Sequence, residues 1–151
     1  MRITVVVAAL GLCLSGCGSG TLSARELRTK ATIVCRTAVR RSDRIALPSS
    51  NTAGSTFLAQ GIAVFRPELV ALRKLAPPHR LAEAYRAALG DAKQQLDALI
   101  AADHNLQSGG DPVVAIKQLD VELAAINLRD HAAWSTVGVP ACANLTPGQP
   151  G

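Results

Sequence analysis

The chain has 151 residues and a formal net charge of +5, and it is 48% hydrophobic but only 3% aromatic. This length accommodates one domain with a real core and excludes two ordinary ones. Alanine and leucine are abundant and β-branched residues are unclustered beyond the first stretch, which argues against a sheet and for packed helices.

The chain opens with Arg2 and an uncharged run from Ile3 to Leu14. That run falls short of the ~20 residues a helix needs to cross a hydrocarbon core, and a short basic start before such a run describes an export signal. It ends in Leu14-Ser15-Gly16-Cys17, which resembles the lipobox of bacterial lipoproteins. The resemblance implies a signal peptide of residues 1–16, cleavage before Cys17, a diacylglycerol on the Cys17 sulfur, and a lipid-anchored protein on the extracytoplasmic face of the cell membrane. One departure is the single basic residue, Arg2, where the family usually has two or more. The alternative is an ordinary signal peptide cut elsewhere. Cys13 has no mature role, since it leaves with the signal. Residues 17–22 then read as a lipidated tether, 23–142 as a helical bundle domain and 143–151 as a flexible tail.

Four helical stretches follow. The first, about 23–46, opens on Ser23 with Glu26 in the capping-box position. Leu27, Ala31, Val34, Ala38 and Ile45 recur on one face of it, and Pro48 ends it. The second, about 55–76, repeats Leu58, Ile62, Phe65, Leu69 and Leu72 in alternating steps of four and three, a bundle-type seam. Pro67 interrupts that seam, so a kink or break is expected near Phe65–Pro67, and Pro77-Pro78 stops the helix. The third, about 78–107, carries Leu81, Tyr85, Ala88, Ala92, Leu96, Leu99 and Leu106, and Gly109-Gly110 ends it. The fourth opens at Asp111-Pro112, an N-cap followed by proline in the first turn, and runs to about Val137 with Ile116, Leu119, Leu123, Ile126 and Ala133 on one face.

Short connections between such helices favour an all-α, up-down-up-down four-helix bundle. Cys35 and Cys142 are the cysteines left after Cys13 and Cys17 are assigned, and an exported, oxidising setting favours joining them. In the bundle, the end of the fourth helix lies beside the start of the first, so "GVPAC" would return Cys142 to Cys35. The alternative is two unpaired buried thiols. The whole layout, with a basic cysteine-bearing first helix, "LRKLAPP" at a corner and "WSTVGVPAC" at the end, is similar to small helical lipoproteins of unknown function from high-GC Gram-positive bacteria. That similarity implies no activity.

The charge is uneven. The first helix holds Arg25, Arg28, Lys30, Arg36, Arg40, Arg41 and Arg44 against Glu26 and Asp43, while the remaining mature residues nearly balance. Arg25, Arg28, Arg36 and Arg40 are candidates for binding an anionic lipid or wall polymer beside the anchor; the alternative is a solvated bundle face. Nucleic acid is a poor partner for an exported chain with almost no stacking aromatics.

No catalytic or cofactor signature emerges. His79, His104 and His131 form no H-x3-H or E-x-x-H pair, there is no C-x-x-C-H, and no G-x-S-x-G elbow is present. Two isolated cysteines do not make a zinc site. Asp103-His104 and Asp130-His131 are adjacent on helices, point about 100° apart and read as surface residues. Trp134 and Tyr85 read as core or boundary residues. The expectation is a non-enzymatic envelope lipoprotein that binds or scaffolds, without metal or cofactor and with no protein partner identifiable. The alternative is a carrier or sensor taking a small ligand or metal into the bundle core. Polar residues on the inward faces would discriminate the two, and the seams named above are almost wholly apolar.

Overall fold

The computed structural model describes residues 20–48 and 53–143. The signal segment, Cys17, the first part of the tether and the tail beyond Ala143 lie outside the described residues. Four helices follow in order, α1 (Ala24–Ser42), α2 (Gly54–Arg73), α3 (His79–Gln107) and α4 (Pro112–Val137), and a 3-10 turn at Pro140–Cys142 closes the domain. Each helix packs mainly on the next in sequence, so the chain runs up, down, up and down as a four-helix bundle.

Local chemistry sets most of the helix ends. At α1 the Ser23 hydroxyl accepts from the Glu26 N–H at 3.2 Å, and the Ser23 N–H donates to Glu26 Oε2 at 2.8 Å, completing the capping box. The Asp111 carboxylate accepts from the N–H groups of Val113 and Val114 at the head of α4. Gly138 ends α4 with φ +81, a left-handed conformation that a side chain would strain, and Val139 N–H donates back to the Trp134 carbonyl. Leu22 N–H donates to the Ala76 carbonyl, tying the start of the domain to the α2–α3 corner.

Two expectations about the helices change. The first helix stops at Ser42, so Ile45 lies in the turns that follow, held by short-range bonds to Arg41 and Ser42 carbonyls. Pro48 biases the residue before it away from helical conformation, and the chain is already leaving the helix there. Of the kink or break expected at Pro67, the break does not occur, and the second helix is continuous through it. Proline costs it one backbone hydrogen bond and leaves the Ala63 carbonyl without its usual donor. Phe65, Leu69 and Leu72, all buried on either side, hold the helix together across that loss.

The helices are unequal, and the core divides accordingly. At about 1.5 Å per residue, α1 with 19 residues is far shorter than α3 with 29. Leu27, Ala31, Cys35 and Ala38 of α1 therefore join only the lower core, beside Phe65, Leu69 and Leu72 of α2, Tyr85 and Ala88 of α3, and Trp134 and Val137 of α4. The upper core is a three-helix layer of Leu58, Ala98, Leu99, Ala102, Leu119 and Leu123. In the lower layer Tyr85 and Trp134 meet edge to face at 5.7 Å, and the Tyr85 hydroxyl donates to the Leu72 carbonyl at 2.7 Å. Both core layers, the disulfide and the helix caps fall downstream of Cys17, so the segment 18–151 contains the core packing found among the described residues.

Cys35 and Cys142 form a disulfide with their Cα atoms 5.1 Å apart. Beside it, Arg28 Nε donates to the Val137 carbonyl at 2.9 Å, satisfying an orphan acceptor at the end of α4. The bridge spans a sequence separation of 107, for which chain entropy sets a stabilisation of about 4–5 kcal/mol. Replacing both cysteines by alanine is expected to lower the urea midpoint markedly while far-UV circular dichroism in buffer remains helical. An unchanged midpoint would mean that the bridge does not constrain the unfolded chain.

Candidate functional site

The basic residues of α1 fall into two situations. At 3.6 residues per turn, Arg25, Arg36 and Arg40 lie within a sector of about 60°. All three are exposed, and Arg40 donates to the Thr37 hydroxyl. Arg28 flanks that sector but is committed to the Val137 carbonyl, so part of its role is to join α1 to α4. On the far side of the molecule Val114, Val121 and Leu128 stand exposed at seven-residue intervals along α4.

The interior differs from the apolar seams read from the sequence. Glu68, Asp91, Gln95 and Asp130 are buried, and they come from three helices. Asp130 is a correction to its reading as a surface residue: it is only 2% exposed, whereas His131 beside it is exposed, as are His79 and His104. The reason is helical phase. Asp130 lies four residues after Ile126 and four before Trp134, which places it on the buried stripe, and the next residue turns outward. Glu68 likewise lies three after Phe65 and four before Leu72. This spacing is the signal in the sequence that marks both acids as inward-facing.

These acids are unequally partnered. Arg129 Nε donates to Asp91 Oδ1 at 3.2 Å and also reaches Gln94, so Asp91 has a cation. Gln95 donates to Asn127 at 3.1 Å. Both carboxyl oxygens of Glu68 and Oδ1 of Asp130 are buried without a hydrogen-bond partner, and the Trp134 indole N–H closes no bond of ordinary length. Burial pushes the Glu68 carboxyl up to about 8, and the charge of Asp130 adds to the rise. Burial pushes Asp130 up to about 7; the Gln95 amide pulls it back, Asp91 raises it and the nearby Trp134 N–H lowers it. At neutral pH the Glu68 carboxyl is therefore mainly protonated while Asp130 stands near the midpoint of its titration.

Glu68 also borders an open groove of about 220 Å3 between α1 and α2, together with Ile33, Val34, Thr37, Ala38, Arg41, Val64, Pro67 and Ala71. Among the described residues, no three of His, Cys, Asp and Glu come together as a metal ion would require. No protein-family model, curated protein or solved structure matches this chain.

The raised acids make stability depend on pH. Their unfolded values are near the ordinary 4.5 and 3.8, so the contribution they make as neutral groups is complete below about pH 4 and is lost as pH rises through about 7 and about 8. Thermal midpoints should fall between about pH 5 and about pH 8.5. Glu68→Gln, which stays neutral throughout, should flatten that decline and raise stability at the alkaline end by roughly 1–3 kcal/mol. A wild-type midpoint constant over this range would contradict the burial of these acids.

Proposed function

We propose that the protein is an exported lipoprotein, anchored through Cys17 at the cell envelope, whose helical domain acts by binding and not by catalysis. The observation that carries this reading is the Leu14-Ser15-Gly16-Cys17 stretch at the end of an apolar run too short to span. The Cys35–Cys142 bridge supports it, because such a bond persists in oxidising compartments. Among the described residues no helix is long and apolar enough to cross a membrane. In this reading the lipid supplies attachment and the domain projects from the surface on a short tether.

Two features suggest what the domain meets. The exposed Arg25, Arg36 and Arg40 face one direction and suit an anionic lipid headgroup or wall polymer, with each basic residue near a charged surface worth about 1 kcal/mol. The lipid and this face would then reinforce each other, since two weak attachments to one surface raise each other's effective concentration. The second reading, a carrier or sensor of a small ligand, is favoured by the polar groups on the inward faces, Glu68 and Asp130 above all.

Fractionation of cells expressing wild type and Cys17→Ala tests the anchor: the variant should move from the membrane to the soluble fraction. Equal membrane retention of the two would remove the lipoprotein reading. For the basic face, residues 18–151 should sediment with vesicles containing anionic lipid at about 50 mM salt and be released at about 500 mM, as screening shortens. Changing Arg25, Arg36 and Arg40 to Gln should abolish sedimentation, and Arg28 is left in place because its loss also removes the bond to Val137. Binding that survives the three substitutions would return α1 to an ordinary solvated face.

A further inference from the structure

The α1–α2 groove and the acid beside it are two separate observations that converge on one ligand chemistry. Ile33, Val34 and Val64 give the groove apolar walls, and its one carboxylate is Glu68. Glu68 is 6% exposed with both oxygens unpartnered, and among the described residues it forms no ion pair, not even with Arg41 at the same groove. When ionised it has lost its water and faces the charge of Asp130. A cation brought along the groove relieves both penalties.

The form of that cation follows from what surrounds it. A metal ion needs several ligands, and the described residues group no three together. An ammonium needs one carboxylate, and an attached hydrocarbon body would bury itself against the groove walls. A space of about 220 Å3 lies below the usual range of drug-sized pockets, so the body is short, on the order of ten heavy atoms. The carboxyl oxygens lie closed off from solvent although the residue lines the groove. Pairing with a ligand in the groove therefore requires Glu68 to turn about its flexible side-chain bonds. We propose that the groove between α1 and α2 binds a small organic ammonium with an apolar body, Glu68 serving as its counter-ion; this rests on the reading of the domain as a binding module.

Proton balance gives the site a signature. At neutral pH the Glu68 carboxyl carries its proton, and binding exchanges that proton for the ammonium, with the proton leaving to solvent. The other charged groups about this site are Asp130 on α4, Asp91 on α3 held by Arg129, and Arg41 on α1. Asp91 is paired with Arg129, so the pH dependence of binding belongs to the Glu68–Asp130 pair.

The test is calorimetric titration of disulfide-bonded residues 18–151 with hexylammonium, hexanol and hexanoate, each in two buffers of different ionisation enthalpy. Hexylammonium should bind several-fold more tightly at about pH 8 than at about pH 7, and should release close to one proton at about pH 7 and about half a proton at about pH 8, because the site must ionise to receive it. Hexanol and hexanoate should bind at least about tenfold more weakly, and Glu68→Gln should weaken hexylammonium by at least about tenfold, the factor that separates a paired charge from a neutral amide. Ile33→Arg, at a position already 61% exposed and therefore harmless to folding, should abolish binding by placing a resident cation in the groove. Hexanol binding as tightly as hexylammonium, an affinity indifferent to Glu68→Gln or to Ile33→Arg, or no hexylammonium binding at all would each overturn the proposal. The membrane attachment tested through Cys17→Ala does not involve Glu68, so failure here leaves the anchor standing and failure there leaves this site standing.

Discussion

The Cys35–Cys142 bond is the constraint on which the arrangement of α1 depends. α3 packs extensively on both α2 and α4, but α1 packs chiefly on α2 and on the 3-10 turn that carries Cys142. It meets α4 at the lower end, where the bridge and the Arg28–Val137 bond close the ring of helices. Without that closure α1 would be an amphipathic helix of 19 residues resting on a single neighbour, a length at which helices are marginal without tertiary support. Gly138 makes the closure geometrically possible. Its left-handed turn sends the chain back toward α1, and a Cβ there would lie 2.7 Å from Arg28 Nε, so the residue type serves both the turn and the close approach.

Beside this anchored end the bundle accepts an interior that costs stability. Leu and Phe at the positions of Asp130 and Glu68 would extend the lower core, and replacing buried ionic groups by apolar ones of similar size is often neutral or stabilising. The domain instead keeps two acids with unpartnered oxygens next to Trp134, which is itself fully buried with an unsatisfied N–H. A small domain tolerates this only where other interactions hold the surrounding helices in place. The bridge, the edge-to-face pair of Tyr85 with Trp134 and the Tyr85–Leu72 hydrogen bond all lie in that same lower layer. Covalent and aromatic reinforcement is thus concentrated in the layer where the polar groups weaken it.

Features decided within one or two turns of chain were legible in the sequence. Ser23 with Glu26, Asp111 before Pro112, and Gly109-Gly110 at the end of α3 mark helix ends because their partners are three or four residues away. The cysteine pairing was legible because an antiparallel bundle returns the end of α4 to the side of α1. Whether α2 would merely bend or break at Pro67 was not, since the cost of one lost hydrogen bond is local and visible while the packing of Phe65, Leu69 and Leu72 that keeps the helix continuous is tertiary. The acids were hidden for a related reason. Their spacing placed them on the buried stripes, but a carboxylate is assigned to solvent by default, and only the neighbouring helices reveal that no water reaches it.

The unequal helix lengths connect these observations. Because α1 stops at Ser42, it covers the lower half of the bundle and leaves the upper half to three helices. Its own exposed and partly buried residues, Ile33, Val34 and Thr37, then form one wall of the groove against α2. A bulkier small-residue-free seam would close that space; Ala38 and Ala71 leave it open. Pro67 adds to the opening by removing a donor from α2 at the turn where Glu68 begins. The groove, Pro67 and the unpartnered acid therefore lie together on α2, opposite a helix whose position is set by the disulfide and whose outer face is basic. A ligand entering there would bear on the contact with α2, the principal helix neighbour of α1, so that occupancy of the groove would be coupled to the seating of the basic helix.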